Sequence, residues 1–155
     1  MTRSQHLCSL MLLTAFCPGL AFAEDHRGSL NPSVSQETIH STICARGWIH
    51  AIGPQETTAH ATKQRLMSDA GEYNAALFEL DHVIPVELGG APLDVRNLQL
   101  QPRTGACNAR QKNELERALR RLVCTGELSL ADAQHEITTD WQASYSKRID
   151  QRGCK

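Results

Sequence analysis

The sequence predicts an α+β fold, stapled by disulfides, with a β-β-α unit at its middle. Three observations predict it. FELDHVI at 78–84 is rich in strand formers and stops at Pro85, and the alternating NLQLQ at 97–101 stops at Pro102. Leu115, Ala118, Leu119, Leu122 and Val123 then recur at i, i+3, i+4, i+7, i+8, the apolar stripe of a helix facing a core. Finally, Cys44, Cys107, Cys124 and Cys154 make an even set in a chain that carries an export signal.

The elements follow in order. Residues 1–23 hold Arg3, the apolar run LMLLTAF and then AFA, which reads as a secretory signal peptide cut after Ala23; Cys8 and Cys17 leave with it. Residues 24–42 are polar, with Asn31-Pro32 and several serines, and read as a loosely ordered leader before one domain at 43–155. ICARGWI at 43–49 reads as a short strand and turn, and 62–70 as a short helix ended by Gly71. The two strands of the β-β-α unit are separated by the loop Gly89-Gly90-Ala91-Pro92. Its helix begins after Thr104-Gly105 and closes at Gly126. Ser129, with Asp132 three residues on, opens a last helix whose apolar side is Leu130, Ala133, Ile137, Trp141 and Tyr145. The polar tail is held through Cys154.

Beyond the signal no run approaches the ~20 apolar residues of a membrane span, so a soluble exported protein is expected, periplasmic or secreted and monomeric. The four cysteines allow three pairings, and a zinc site is the competing reading, although there is no C-x-x-C pair. A formal net charge of −1 gives no general argument for a polyanionic partner. The distribution is more informative. Arg103, Arg110, Lys112, Arg117, Arg120 and Arg121 face only Glu114 and Glu116 in the same stretch, which reads either as a positive face or as a solvated helix.

Within the β-β-α unit, Asp81 and His82 end the first strand, Asn97 opens the second and Asn108 stands near the helix start. A carboxylate and an amide oxygen are hard ligands that suit Mg²⁺, with Mn²⁺ or Ca²⁺ as alternatives. A neutral imidazole beside a metal-bound phosphodiester can take a proton from water. Neighbouring strand residues point to opposite faces, so Asp81 and His82 share a site only where the strand bends. Glu87 reads as a supporting acid or a loop salt bridge. His26, His40, His50, His60 and His135 read as solvated, and Trp141 as core.

Asp81-His82, Asn97-Leu98 and CNARQKN at 107–113 resemble the HNH or ββα-metal (His-Me finger) nucleases. The chain is more similar still to a group of small exported bacterial HNH-like proteins with the elements IC-x-x-G, D-H-x-I-P-x-E-L-G-G-A-P, R-N-L, V-C-x-G, A-Q and D-W. These appear as Ile43-Cys44 with Gly47, residues 81–92, Arg96-Asn97-Leu98, Val123-Cys124 with Gly126, Ala133-Gln134 and Asp140-Trp141. The resemblance implies a ββα-metal core with additional helices and assigns roles position by position. His82 is the general base, and Asp81 the acidic metal ligand. Asn97 braces the loop and orients the histidine, Asn108 is the second ligand, and Arg110 receives the scissile phosphate, with Arg103 a weaker candidate. It also implies the pairing Cys44 with Cys124, and so Cys107 with Cys154. The chain departs from the family in carrying Cys107 in place of Trp or Gly, Asn113 in place of an acid, and no zinc-binding cysteines.

The activity implied is an exported, metal-dependent endonuclease that hydrolyses nucleic-acid phosphodiester bonds with little sequence preference. DNA is the first substrate and RNA the second. An immunity or inhibitor protein is a further candidate partner, as it would be for a delivered toxin. The alternative is a non-catalytic, disulfide-stabilised module on the same scaffold that binds nucleic acid or protein.

Overall fold

The computed structural model describes residues 28–53 and 56–154; the expected signal peptide lies outside them. The described residues form a mixed α+β fold with a two-stranded sheet, four α-helices and two disulfides. The α-helices are α1 (Trp48–Ile52), α2 (Glu56–Asp69), α3 (Ala109–Thr125) and α4 (Leu130–Arg148), and the strands are β1 (Phe78–His82) and β2 (Leu98–Pro102).

The strands pair antiparallel, with Leu80 opposite Leu100 and His82 opposite Leu98. α2 lies against the hairpin, and its Lys63 donates to the carbonyls of Ala75 and Phe78, both at 2.6 Å, where β1 begins. α3 and α4 pack on each other. Between them, Leu115, Leu119 and Val123 meet Leu130, Ala133, Ile137 and Tyr145, and the cluster is completed by Ile39, Ile43 and Leu88. Trp141 packs on this core as expected, and Trp48 joins it.

The helix ends follow their capping residues. Asn108 and Gln111 form a reciprocal capping box at the head of α3, and Gly126 ends the helix in the left-handed conformation at φ 79°. Ser129 accepts from the Asp132 amide at 3.0 Å and opens α4. Within α4 the backbone leaves helical geometry at Asp140, whose Oδ1 accepts from Ala143 N at 2.9 Å and so caps the second half.

Three expectations are corrected. Residues 43–49 do not form a strand: Ile43 is a core residue, Gly47 takes φ 82°, and Trp48 begins α1. α2 starts at Glu56, well before residue 62, because its exposed polar face gives no apolar period to mark the start. The leader is not loose over residues 28–42. Leu30 bridges to Gly90, Gln36 Oε1 accepts from Leu130 N at 2.7 Å, and Ile39 is buried in the core. The disulfides join Cys44 to Cys124 and Cys107 to Cys154, with Cα–Cα separations of 5.6 and 4.8 Å. The first ties the start of the domain to the end of α3. The second ties the tail to the head of α3. Two disulfides fit a chain that folds in an oxidising compartment, and no helix among the described residues is long and apolar enough to cross a membrane.

Candidate active site

The site is built where β1 ends. Val83 N donates to Asn97 O at 2.8 Å, and the chain then turns through Pro85 and a short 3-10 segment, Val86–Leu88. Asn97 is fully buried and holds this loop with its side chain. Its Oδ1 accepts from Ile84 N at 2.8 Å, and its Nδ2 donates to the carbonyls of Ile84 and Ala91, each at 2.9 Å. The paired glycines have separate reasons. Gly89 sits at φ 82°, and a Cβ on Gly90 would collide with the Ile84 carbonyl and the Asn97 amide.

The braced loop in turn holds His82. Its Nε2 lies 3.2 Å from Pro92 O, and since a carbonyl can only accept, that nitrogen carries the proton. The neutral ring then presents a bare Nδ1. Burial is the main influence on the ring and pushes its pKa below the usual histidine value, against the opposing pull of Pro92 O and Asp81.

Asp81, beside it, is buried. Its Oδ1 accepts from the His82 amide at 2.8 Å, and its Oδ2 forms an ion pair with Lys112 Nζ at 2.8 Å. Lys112 is 1% exposed and also donates to His82 O at 2.8 Å and to Glu116 Oε1 at 2.5 Å. Burial works against this ammonium, but Glu116 and Asp81 outweigh it and hold its pKa above the usual lysine value. Burial pushes Glu116 up to about 7, against the pull of Lys112 and with help from Asp81. One cleft is lined by Asp81, His82, Glu87, Asn113 and Glu116, with Glu79 at its edge. Beside it, sharing Glu79 and Asn113, lies a basic shelf of Arg103, Arg110 and Arg117.

The structure thus brings Asp81 and His82 to one cleft, with Asn97 as the brace behind them and Arg110 on the adjoining shelf. Asn108 lies outside the cleft lining. Its Oδ1 faces Gln111 N at 3.4 Å and its Nδ2 donates to Gly105 O at 2.8 Å, so the side chain serves the cap. Lys112, expected on a positive face or a solvated helix, is instead the centre of a buried ion cluster. Arg120 is also withdrawn from that face, because its Nε donates to Ile43 O at 2.7 Å. Glu87 forms no ion pair among the described residues; its Oε2 is buried without a hydrogen bond, and burial raises its pKa against Arg120 and Arg117.

Sequence reasoning missed Lys112, Glu116 and Asn113. A Lys-x-x-x-Glu pair on a helix usually marks a solvated surface. The only signal that could have separated it was its place among the buried positions of the α3 stripe.

Asp81 decides whether a divalent ion suits this site. Its Oδ2 is held by Lys112 in the cleft that Glu87 also lines, and Glu87 Oε2 is buried there without a hydrogen bond; two carboxylates so placed fit a hard cation that keeps most of its waters. Among the described residues, no group of three His, Cys, Asp or Glu side chains is disposed to hold a metal. Asp81 fits as a protein ligand, with Lys112 as its standing competitor. Comparison of the chain with family models, with curated proteins and with solved structures found no match.

Proposed function

We propose that the chain is an exported, metal-dependent endonuclease with an HNH-like ββα core, made of β1, β2 and α3, that hydrolyses nucleic-acid phosphodiester bonds with little sequence preference. One observation carries the reading: a half-buried imidazole has one nitrogen fixed on a loop carbonyl and the other left bare, in a cleft beside an acid. A histidine held in this way is a general base of fixed tautomer and direction.

In this reading His82 Nδ1 takes a proton from water as the water oxygen bonds to phosphorus and the bond to the leaving sugar oxygen breaks. Asn97 positions the base through the 83–92 loop. Arg110, exposed beside the cleft, receives the phosphate. Asp81 would hold a divalent ion, Mg²⁺ or in its place Mn²⁺ or Ca²⁺, which when bound supplies charge neutralisation at the phosphate. DNA and RNA are both candidate substrates.

The test is nicking of supercoiled plasmid by the purified, oxidised protein with Mg²⁺, Mn²⁺ or Ca²⁺, beside His82→Ala. The expected result is nicking by the parent and its loss in the variant. Intact DNA and RNA under every ion, or an equally active variant, would end the proposal.

A second reading has one observation in its favour. Lys112 already neutralises Asp81 from within, and Asn108 is committed to its cap, as in a binding module without turnover. Calorimetric titration with Mn²⁺ separates the two: the nuclease binds the ion and loses it on Asp81→Ala, whereas the module shows no such binding.

A further inference from the structure

α3 carries a second feature, on its outer side. Arg110, Arg117 and Arg121 are exposed and spaced i, i+7, i+11, which puts them on one stripe of the helix, directed away from the buried Leu115 and Leu119. None of the three forms an ion pair among the described residues. Glu114 falls on the same stripe, but its carboxylate is engaged by the Tyr145 hydroxyl at 3.3 Å. At the head of the stripe, Arg103 joins Arg110 and Arg117 on the shelf beside the cleft. At its far end, Arg121 lines a groove between α3 and the last turn of α4 together with Lys147 and Arg148. Cations therefore run from the cleft to the opposite end of α3. By the rise of an α-helix, Arg110 and Arg121 are about 16 Å apart along the axis, a length over which one strand of a duplex rises by about five phosphates.

We infer that this stripe, Arg103–Arg110–Arg117–Arg121 with Lys147 beyond it, is a docking track for the sugar-phosphate backbone of duplex DNA extending away from the cleft. It rests on the nuclease reading for the identity of the polymer alone. Charge complementarity argues for the backbone as occupant: Arg110, Arg117 and Arg121, which form no ion pair among the described residues, suit phosphates. They are flanked by Arg103, which also donates to Phe78 O and pairs with Glu79, and by Lys147, which pairs with Glu136. The duplex is favoured over a single strand because single-strand binding relies on aromatic platforms. None of the large apolar side chains that stand exposed, Leu30, Tyr73, Leu77, Leu93 and Val95, lies on α3 or α4. The track reads no sequence, and it adds affinity for long substrates that a short ester cannot use.

The experiment compares the full, oxidised chain with Arg117→Gln/Arg121→Gln by fluorescence anisotropy on a labelled duplex, in chelator, across a salt series. Both side chains are exposed, and matching circular dichroism and thermal unfolding would establish that the variant folds. Each lost phosphate contact lowers the slope of log K against log salt by about 0.9, so the slope is expected to fall by about 2 and the affinity by tenfold or more near 0.1 M salt. Unchanged slope and affinity overturn the track. Single-stranded DNA and duplex RNA serve as further arms; tighter binding of the parent to either overturns the assignment to duplex DNA. Hydrolysis of bis(p-nitrophenyl) phosphate by the parent reports on the cleft separately. If the ester is cleaved and the slope is unchanged, the track fails and the nuclease reading stands. If no ester or plasmid is cleaved and the slope falls, the nuclease reading fails and the track stands.

Discussion

The buried face of α3 is made of two opposite materials. Toward α4 it presents Leu115, Leu119 and Val123, each fully buried among aliphatic groups. Toward the hairpin it presents Lys112 and Glu116, buried against Asp81 and the His82 carbonyl; Asn113 reaches Glu79 beside them, and Gln101 of β2 donates to Cys107 O at the helix head. The apolar side draws on burial, which has no direction and tolerates repacking. The polar side contributes little net stability, because desolvation offsets its attractions, but each group is satisfied at only one position. The apolar part of this face holds the fold together; the polar part fixes where β1 ends relative to α3, and therefore where the site lies.

The largest expected effect breaks the polar side. Lys112→Met leaves two buried carboxylates without their cation and should cost about 3–5 kcal/mol in urea unfolding, while adding Glu116→Leu should recover a good part of it. A single variant within about 1 kcal/mol of the parent would mean that the cluster is not desolvated, and the contrast between the two sides would collapse. On the apolar side, Leu119→Ala should cost about 2–5 kcal/mol yet leave the His82 imidazole resonances where they are. Movement of those resonances would show that the two sides are coupled. Smaller again is Asn97→Ala, about 1–3 kcal/mol, with faster amide exchange at Ile84 as the local signature of a released loop. The smallest effect lies away from both sides. The Arg148 hydrogen bond is the main reason that Glu136 sits at about 2 instead of 4.5, so its stabilisation is complete above about 4.5 and is lost as the pH falls toward 2. Acid unfolding of Arg148→Gln should be shallower over that window, by on the order of 1 kcal/mol for a pair only partly withdrawn from solvent.

The apolar side was the more legible in sequence. The period of Leu115 to Val123, the cap at Ser129 and the stop at Gly126 all fall where the residues placed them, because local pattern and tertiary burial agree. ICARGWI misled because its strand formers are there to fill the core and flank a disulfide, and Gly47 at positive φ turns the chain into a helix. The leader misled because the residues that reach the core, Val34 and Ile39, are isolated apolar positions in a polar stretch. Within the site, Asp81, His82 and Asn97 were readable from the acid-histidine pair and the resemblance. Lys112 was not, because its partner Asp81 is thirty-one positions away and only the folded chain brings them together. An amide at a helix start, such as Asn108, serves equally well as a ligand or as a cap, and composition does not separate the two uses.

The Asn97 side chain also acts as a ruler. It grips the Ile84 N–H, the Ile84 carbonyl and the Ala91 carbonyl together, so the number of residues between 84 and 91 is fixed by the reach of one amide group. One residue gained or lost there would displace Ala91, then the neighbouring Pro92 carbonyl, then the ring that rests on it. The exposed turn between β2 and α3, at 103–106, is held across by the Asn108 bond to Gly105 O, and a side chain at Gly105 would meet open space. Length variation should therefore be tolerated on that side of the hairpin and excluded on the other, which makes loop length a sharper signature of an intact site than the Asp-His pair itself.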